Sequence, residues 1–456
     1  MIAPSIGSLS VASAGWFARP ETRAVFACLN RDGFEVRAVG GAIRNTLLGR
    51  EVSEVDFAAT AKPEDVIRLA REAGIRTVPT GIAHGTVTLI INGVPFEVTS
   101  LRRDVATDGR RATVAFEGSW MEDARRRDFT INALYASAEG NVHDPLGEGV
   151  SDLKAGRVRF VGDPATRIRE DFLRILRFFR FSADYAKGEF DRGGISAAIR
   201  ERGGLSRLSR ERVRMELLRI LIARRAPEAI EIMDESGLLP ILLGGVARRM
   251  RFNRLCRIED AIDHAADPIL RLAALGTFVE EDAGRLMGKL RLSSREAREL
   301  QGLAAISPAI SPGAGEAALY VLLYKLGPRL YMGRLLLAWA DAGASPADAA
   351  WLRAADLAKS WRRPAFPLCG ADMIALGLAP GPSLGSLLKE LEEEWMAHGF
   401  MADRDTLLAL AREKTASANR AVRAGEPKQS GGTGNEDRTG EGGSSRRKSS
   451  PGEERD

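Results

Sequence analysis

Strand and helix signals alternate along this chain up to about residue 135, and from about residue 165 onward the strand signals stop. That switch places an α/β unit with a mixed sheet first and an all-helical half after it. Phe34 to Val39 and Val55 to Ala58 read as strands, and Ala42 to Leu48 as a helix stopped by Gly49. Pro63 to Ala73 reads as a helix with proline in its first turn. Thr86 to Ile91 and Pro95 to Thr99 flank Asn92-Gly93, a two-residue hairpin signal. Further on, Arg167 to Tyr185, Arg210 to Ala223, Ala226 to Ser236 and Ile269 to Leu290 show helical spacing, and Ser293 to Glu296 forms a capping box. Pro364 to Gly370 breaks the helical pattern, and beyond about residue 424 no large apolar side chain remains, so a disordered tail is expected.

A chain of 456 residues is too long for one ordinary core, and two to four domains are expected. The net charge is +5, and the polar tail is slightly acidic, so the basicity belongs to the folded part and favours a polyanionic partner. Cys28, Cys256 and Cys369 lie far apart without zinc-ligand spacing, which argues against a zinc site or a disulfide framework and for a reducing compartment. The N-terminus lacks a charged leader followed by an apolar run, and no stretch of about 18 apolar residues exists. No membrane association and a cytoplasmic location are therefore expected.

Four motifs carry chemistry. Gly40-Gly41 follows a strand and opens a helix with Arg44 one turn in, so its backbone N–H groups suit a phosphate; a tight turn with a surface arginine fits equally. Glu54 and Asp56 sit at i and i+2 of a strand and share one face. Paired carboxylates repel unless a cation lies between them, and Mg²⁺ takes such oxygens while sharing itself with phosphates. Glu97 on a later strand is a possible third carboxylate; a solvated strand edge is the alternative for all three. Asp123 to Asn132 sets three arginines against aspartates ahead of an apolar helix expected over Ile131 to Ala136, with Arg127 able to grip a triphosphate and Asp128 facing Asn132. Finally, Asp171, Arg174 and Arg177 fall on one helix face, whereas Arg180 is turned about 180° from Asp171. Intrahelical salt bridges would explain that run as well.

The pair Asp171 and Arg174 has a specific logic. A carboxylate only accepts hydrogen bonds and a guanidinium only donates them. Cytosine and adenine each show an amino donor beside a ring-nitrogen acceptor, and guanine and uracil show the reverse. Such a pair would admit C and A, and a wrong base would bury unpaired groups at about 1–3 kcal/mol each.

In this order and spacing, the four motifs resemble those of the class II tRNA nucleotidyltransferase/poly(A) polymerase family, most closely its bacterial CCA-adding members. The resemblance implies an α+β chain with a polymerase β-like nucleotidyltransferase palm followed by all-α neck, body and tail. The expected divisions are 1–150 for the head, 151–235 for the neck, 236–420 for body and tail, and 421–456 for the polar tail. It further implies Glu54 and Asp56 as catalytic metal ligands for Mg²⁺, with Glu97 as a lesser candidate. Gly41, Arg44, Arg127, Asp171, Arg174, Arg177 and Arg180 would hold the nucleotide. ATP and CTP would be substrates, tRNA the acceptor, and the arginines of Ala247 to Arg254 a path for its backbone or a solvated face.

The chain departs from the family at two places: Glu54 stands where aspartate is usual, and Arg44-Asn45 where Arg-Asp is usual. The first departure keeps open a non-catalytic RNA-binding protein on a decayed palm. Poly(A) polymerases of the family typically carry an arginine-rich element after the carboxylate pair. Pro79 to Val87, with His84 as a structural loop residue, looks like the CCA-adding form instead. Partial enzymes that add only CC or only A stay open.

Overall fold

A computed structural model describes residues 9–82, 85–108, 111–115 and 118–425. His84 and the expected polar tail from residue 426 onward lie outside the described residues. The chain divides into two compact units, one ending at Arg363 and one starting at Pro364.

The first unit opens on a mixed sheet. Its strands are β1 (Val36–Val39), β2 (Asp56–Ala59), β3 (Arg76–Gly81), β4 (Thr86–Ile91), β5 (Val94–Ser100), β8 (Tyr135–Ala136) and β9 (Val142–His143). They lie in the order β3-β4-β5-β2-β1-β8-β9. A separate hairpin pairs β6 (Arg103–Asp108) with β7 (Arg111–Ala115). β2 and β5 run parallel, and the other pairs of the large sheet are antiparallel.

Alternation along β2 decides which side chains meet which face. Phe57 and Ala59 join the main core with Phe26, Leu69 and Phe96, under the helices Pro20–Leu29 and Pro63–Glu72. Ala58 turns the other way, to a smaller cluster with Val39, Ala124 and Tyr135. Asp56 has the parity of Ala58 and opposes Val39, so it stands on the face not covered by those helices.

Helices fill the remainder of this unit, and three expected elements differ. Ile131 to Ala136 is not a helix: a 3₁₀ turn (Thr130–Asn132) leads into β8, because Tyr135 and Ala136 pair with β1. Pairing with a distant strand overrides local helical spacing there. The run Arg167 to Tyr185 splits into Pro164–Glu170 and Leu173–Tyr185. Asp171 is extended (φ −153°, ψ 106°), and its Oδ1 accepts from the Leu173 N–H at 3.1 Å, the local competition by which aspartate ends a helix. Ile269 to Leu290 likewise splits into Pro268–Gly276 and Glu281–Leu290, where the Asp282 carboxylate accepts from the Phe278 and Val279 N–H groups.

Among its described residues the second unit holds three helices, Gly370–Ala375, Pro382–Ala397 and Arg404–Gly425. They bury Met373, Leu391, Trp395 and Leu407. Among the described residues no helix is long and apolar enough to cross a membrane.

Candidate active site

The parallel register that sets Phe57 beside Val98 also sets Asp56 beside Glu97, on the same face. The expected strand does not reach Glu54: β2 starts at Asp56, and Glu54 precedes it on an irregular segment, so strand alternation does not fix its face. Crowding by surrounding protein, then Glu97, then Glu54 push the Asp56 carboxyl up to about 6, against the pull of Arg127. Desolvation leads, and the two neighbouring carboxylates add to it more than Arg127 takes away. Among the described residues no group of three or more His, Cys, Asp and Glu side chains is arranged to hold a metal alone. Hard oxygens from two carboxylates fit a divalent ion whose remaining positions are filled by phosphate and water.

Gly40 links β1 to the helix Gly41–Leu47 with φ 72° and ψ −114°, a conformation that favours glycine. A Cβ there would also lie 3.5 Å from the Asn132 carbonyl oxygen and 3.8 Å from Arg127 Nη1, so the backbone passes close to that arginine. Arg44 does not project from this turn. It is 7% exposed and donates to Asn132 Oδ1 through Nη1, to Asn45 Oδ1 through Nε (3.1 Å) and Nη2 (2.9 Å), and to the Tyr185 hydroxyl (2.8 Å). Its guanidinium lies 4.2 Å from the Tyr185 ring centre. Arg44 is thus an inward strut joining the helix Gly41–Leu47 to the helix Leu173–Tyr185.

Arg127 donates to Asp123 from Nε (3.1 Å) and Nη2 (3.0 Å), and to the Tyr135 hydroxyl (3.1 Å). Asp123 is fully buried and also accepts from Arg126 and from the Tyr135 hydroxyl at 2.6 Å. Burial works against the Arg127 charge, but Asp123 and Tyr135 more than offset it and hold the guanidinium protonated. Its Nη1 is left toward Gly40.

Asp128 accepts from Arg177 Nε (2.8 Å) and Nη2 (2.6 Å), from Asn132 Nδ2 (3.0 Å) and from its neighbour's N–H. Burial would raise its pKa, but Arg177 and these donors hold it below the usual carboxylate range. The expected meeting of Asp128 with Asn132 therefore occurs, on a 3₁₀ turn instead of a helix. Asn132 in turn holds Arg44, so a chain of hydrogen bonds runs Tyr185–Arg44–Asn132–Asp128–Arg177.

Asp171 and Arg174 are adjacent but not paired. Asp171 Oδ2 accepts from Arg212 Nη2 at 2.6 Å. Arg174 donates from Nη1 to Glu170 (2.5 Å) and the Arg167 carbonyl (2.9 Å), and from Nη2 to the Arg126 carbonyl (3.2 Å). A guanidinium has five N–H donors, so Arg174 keeps two in hand, and the Asp171 carboxylate keeps acceptor sites beyond the two in use. Arg180 pairs with Glu216 (2.5 Å) and covers Phe181 (4.3 Å), a ring that Arg44 and Arg177 also approach at 5.1 and 5.3 Å.

Sequence reading alone missed Tyr135, Tyr185, Arg212 and Glu216. A phenol or an ion-pairing residue carries no local signal of a partner 8 to 141 residues away. The arginines of 247–254 are largely engaged internally: Arg248 and Arg251 with Asp341, Arg249 with Glu231 and Asp234, and Arg254 with the Ala340 carbonyl.

The residues around this site match known proteins. Residues 36–159 match a profile described as the Poly A polymerase head domain. Residues 196–250 match one described as the probable RNA and SrmB- binding site of polymerase A. The mitochondrial CCA tRNA nucleotidyltransferase 1 of Mus musculus is 32% identical over 394 residues, 84% of this chain and 88% of that protein. The chain belongs to the class II tRNA nucleotidyltransferase/poly(A) polymerase family. It is a nucleotidyltransferase, and members of that class generally need a divalent metal. The CCA-adding enzyme of Levilactobacillus brevis is 29% identical over 413 residues, 85% of this chain and 96% of the relative. In fold, the chain is similar to the Bacillus stearothermophilus CCA-adding enzyme solved in complex with CTP. There the TM-score is 0.68 at 24% identity, over 88% of this chain and 100% of that one. A Thermotoga maritima CCA-adding enzyme complexed with tRNA gives 0.64 at 19% identity, over 91% and 97%.

Proposed function

We propose that this nucleotidyltransferase adds C, C and A to the 3′ end of tRNA, using CTP and ATP and no nucleic-acid template. One observation carries the reading: three successive residues join the parts of the site. The Arg127 side chain faces Gly40 and acts on Asp56, the Arg126 carbonyl receives Arg174, and Asp128 receives Arg177. A single nucleoside triphosphate could therefore touch both the carboxylates and the base-reading pair.

In this reading the Gly41 N–H end of the helix and Arg127 hold the triphosphate, and Arg177 and Arg180, ion-paired with Asp128 and Glu216, brace the neighbouring wall. Arg44 acts from behind, through Asn132. Glu54 and Asp56, with Glu97 beside them, hold Mg²⁺. Held there, the ion would supply a lowered pKa at the tRNA 3′-hydroxyl and charge compensation for the departing pyrophosphate. Asp171 accepts from the amino group of C or A, and Arg174 donates to the adjacent ring nitrogen. The head is taken as 1–150, the neck as 151–235 and the body with tail as 236–420, in the cytoplasm.

Incubating the protein and Mg²⁺ with tRNA lacking its 3′ CCA, and with each nucleotide singly and together, tests the proposal. The expected product is three added nucleotides with CTP and ATP, two with CTP alone, and none with GTP or UTP. Long A tails from ATP alone would make it a poly(A) polymerase, and addition of only CC or only A a partial enzyme.

A further inference from the structure

Glu54 lies on a segment without regular structure between the helix Gly41–Leu47 and β2. Its carboxylate makes no ion pair or hydrogen bond among the described residues, so the backbone alone sets where it points. That backbone is held at few places. Val55 is buried at its far end, and Val52 is partly buried against the main core. At its near end, the Arg50 N–H donates to the Asn45 carbonyl at 2.8 Å, and Asn45 Nδ2 donates to the Glu51 carbonyl at 3.1 Å. The other end of the same amide, Asn45 Oδ1, accepts from Arg44 and lies 3.3 Å from the Tyr185 hydroxyl. Because a guanidinium only donates, the amide oxygen must face Arg44, and the amide nitrogen must then face Glu51. The orientation of Asn45 is chemically forced.

We propose that Asn45 is a positioning residue for the metal carboxylates. Its amide grips the Glu51 carbonyl, and with it the backbone that presents Glu54, and ties that backbone to Arg44 and to Tyr185 of the helix Leu173–Tyr185. The inference rests on the reading of Glu54 and Asp56 as metal ligands. Aspartate has the same shape but cannot do this. One carboxylate oxygen would still serve Arg44, and the other would meet the Glu51 carbonyl oxygen, acceptor against acceptor. The segment would give way there, and Glu54 with it. Asn45 and Glu54 are thus joined by one hydrogen bond and three residues of chain.

The test is Mn²⁺ binding to the full chain, read by electron paramagnetic resonance beside a non-hydrolysable CTP analogue. Losing a group that orients a metal ligand costs roughly tenfold or more in metal affinity. We expect Asn45→Asp to bind Mn²⁺ about tenfold more weakly, with unchanged affinity for the analogue in the absence of metal. The Mg²⁺ concentration that half-saturates CMP incorporation should rise by the same factor. Should Asn45→Asp not fold, Asn45→Ala removes the amide without adding charge and carries the same expectation. Mn²⁺ affinity equal to that of the parent overturns the inference. The binding measurement needs no turnover, so it stands apart from the incorporation assay. A parent that incorporates nucleotides while Asn45→Asp binds Mn²⁺ normally sinks this inference alone, and a parent that binds no Mn²⁺ sinks both.

Discussion

Asp56 carries a carboxyl pushed up to about 6 by crowding and by Glu97 and Glu54. A carboxyl whose pKa is raised in the folded state binds its proton more tightly there than when unfolded. Stability is therefore lost as pH rises from the ordinary carboxylate range through about 6, as the charge appears beside its neighbours. Asp56→Asn removes that charge. Without divalent cations the variant should melt about a degree or two higher than the parent at pH 8 and no higher at pH 4. Nucleotide incorporation should fall by about a thousandfold or more, since a metal ligand is gone. Equal melting at both pH values would show that the three carboxylates do not strain one another.

Between elements, the break at Asp171 and Phe172 matters more than either helix it separates. A continuous helix over Arg167 to Tyr185 would have placed Asp171 and Arg174 one turn apart on a shared face. Instead Asp171 accepts from the Leu173 N–H at the start of the second helix and reaches Arg212 on the helix Arg210–Leu221, while Arg174 reaches back to Arg126. Gly204 keeps this corner open: a Cβ there would come within 2.0 Å of the Phe172 ring. Gly204→Ala must push Phe172 aside and should cost about 1–3 kcal/mol in denaturant unfolding. Because Phe172 adjoins Asp171, the same variant should accept GTP and UTP more readily relative to CTP and ATP. Loss of stability with unchanged base choice would separate the corner from base reading.

Across the whole molecule, arginine acts as mortar as much as bait. The arginines of 248–254 close on acids and carbonyls of their own unit, so they offer few free donors to an RNA backbone. Binding of tRNA should still weaken linearly in log–log form as salt rises. With most of these arginines engaged, the loss between 50 and 200 mM salt should be on the order of tens-fold, less than the roughly thousandfold typical of six or more phosphate contacts. A filter-binding series would read the slope, and a flat line would remove the electrostatic contribution.

The order of the elements, the mixed sheet and the helical second half were all legible in the sequence. Each rests on spacing between near neighbours, and a period of two or 3.6 survives whatever the distant chain does. The inward turn of Arg44, the Asp123–Tyr135 cradle beneath Arg127, the strand at Tyr135 and the break at Asp171 were decided only by tertiary structure. The partners concerned sit on other elements, often tens of residues away, and a buried polar group takes whichever complementary atom the fold brings within about 3 Å.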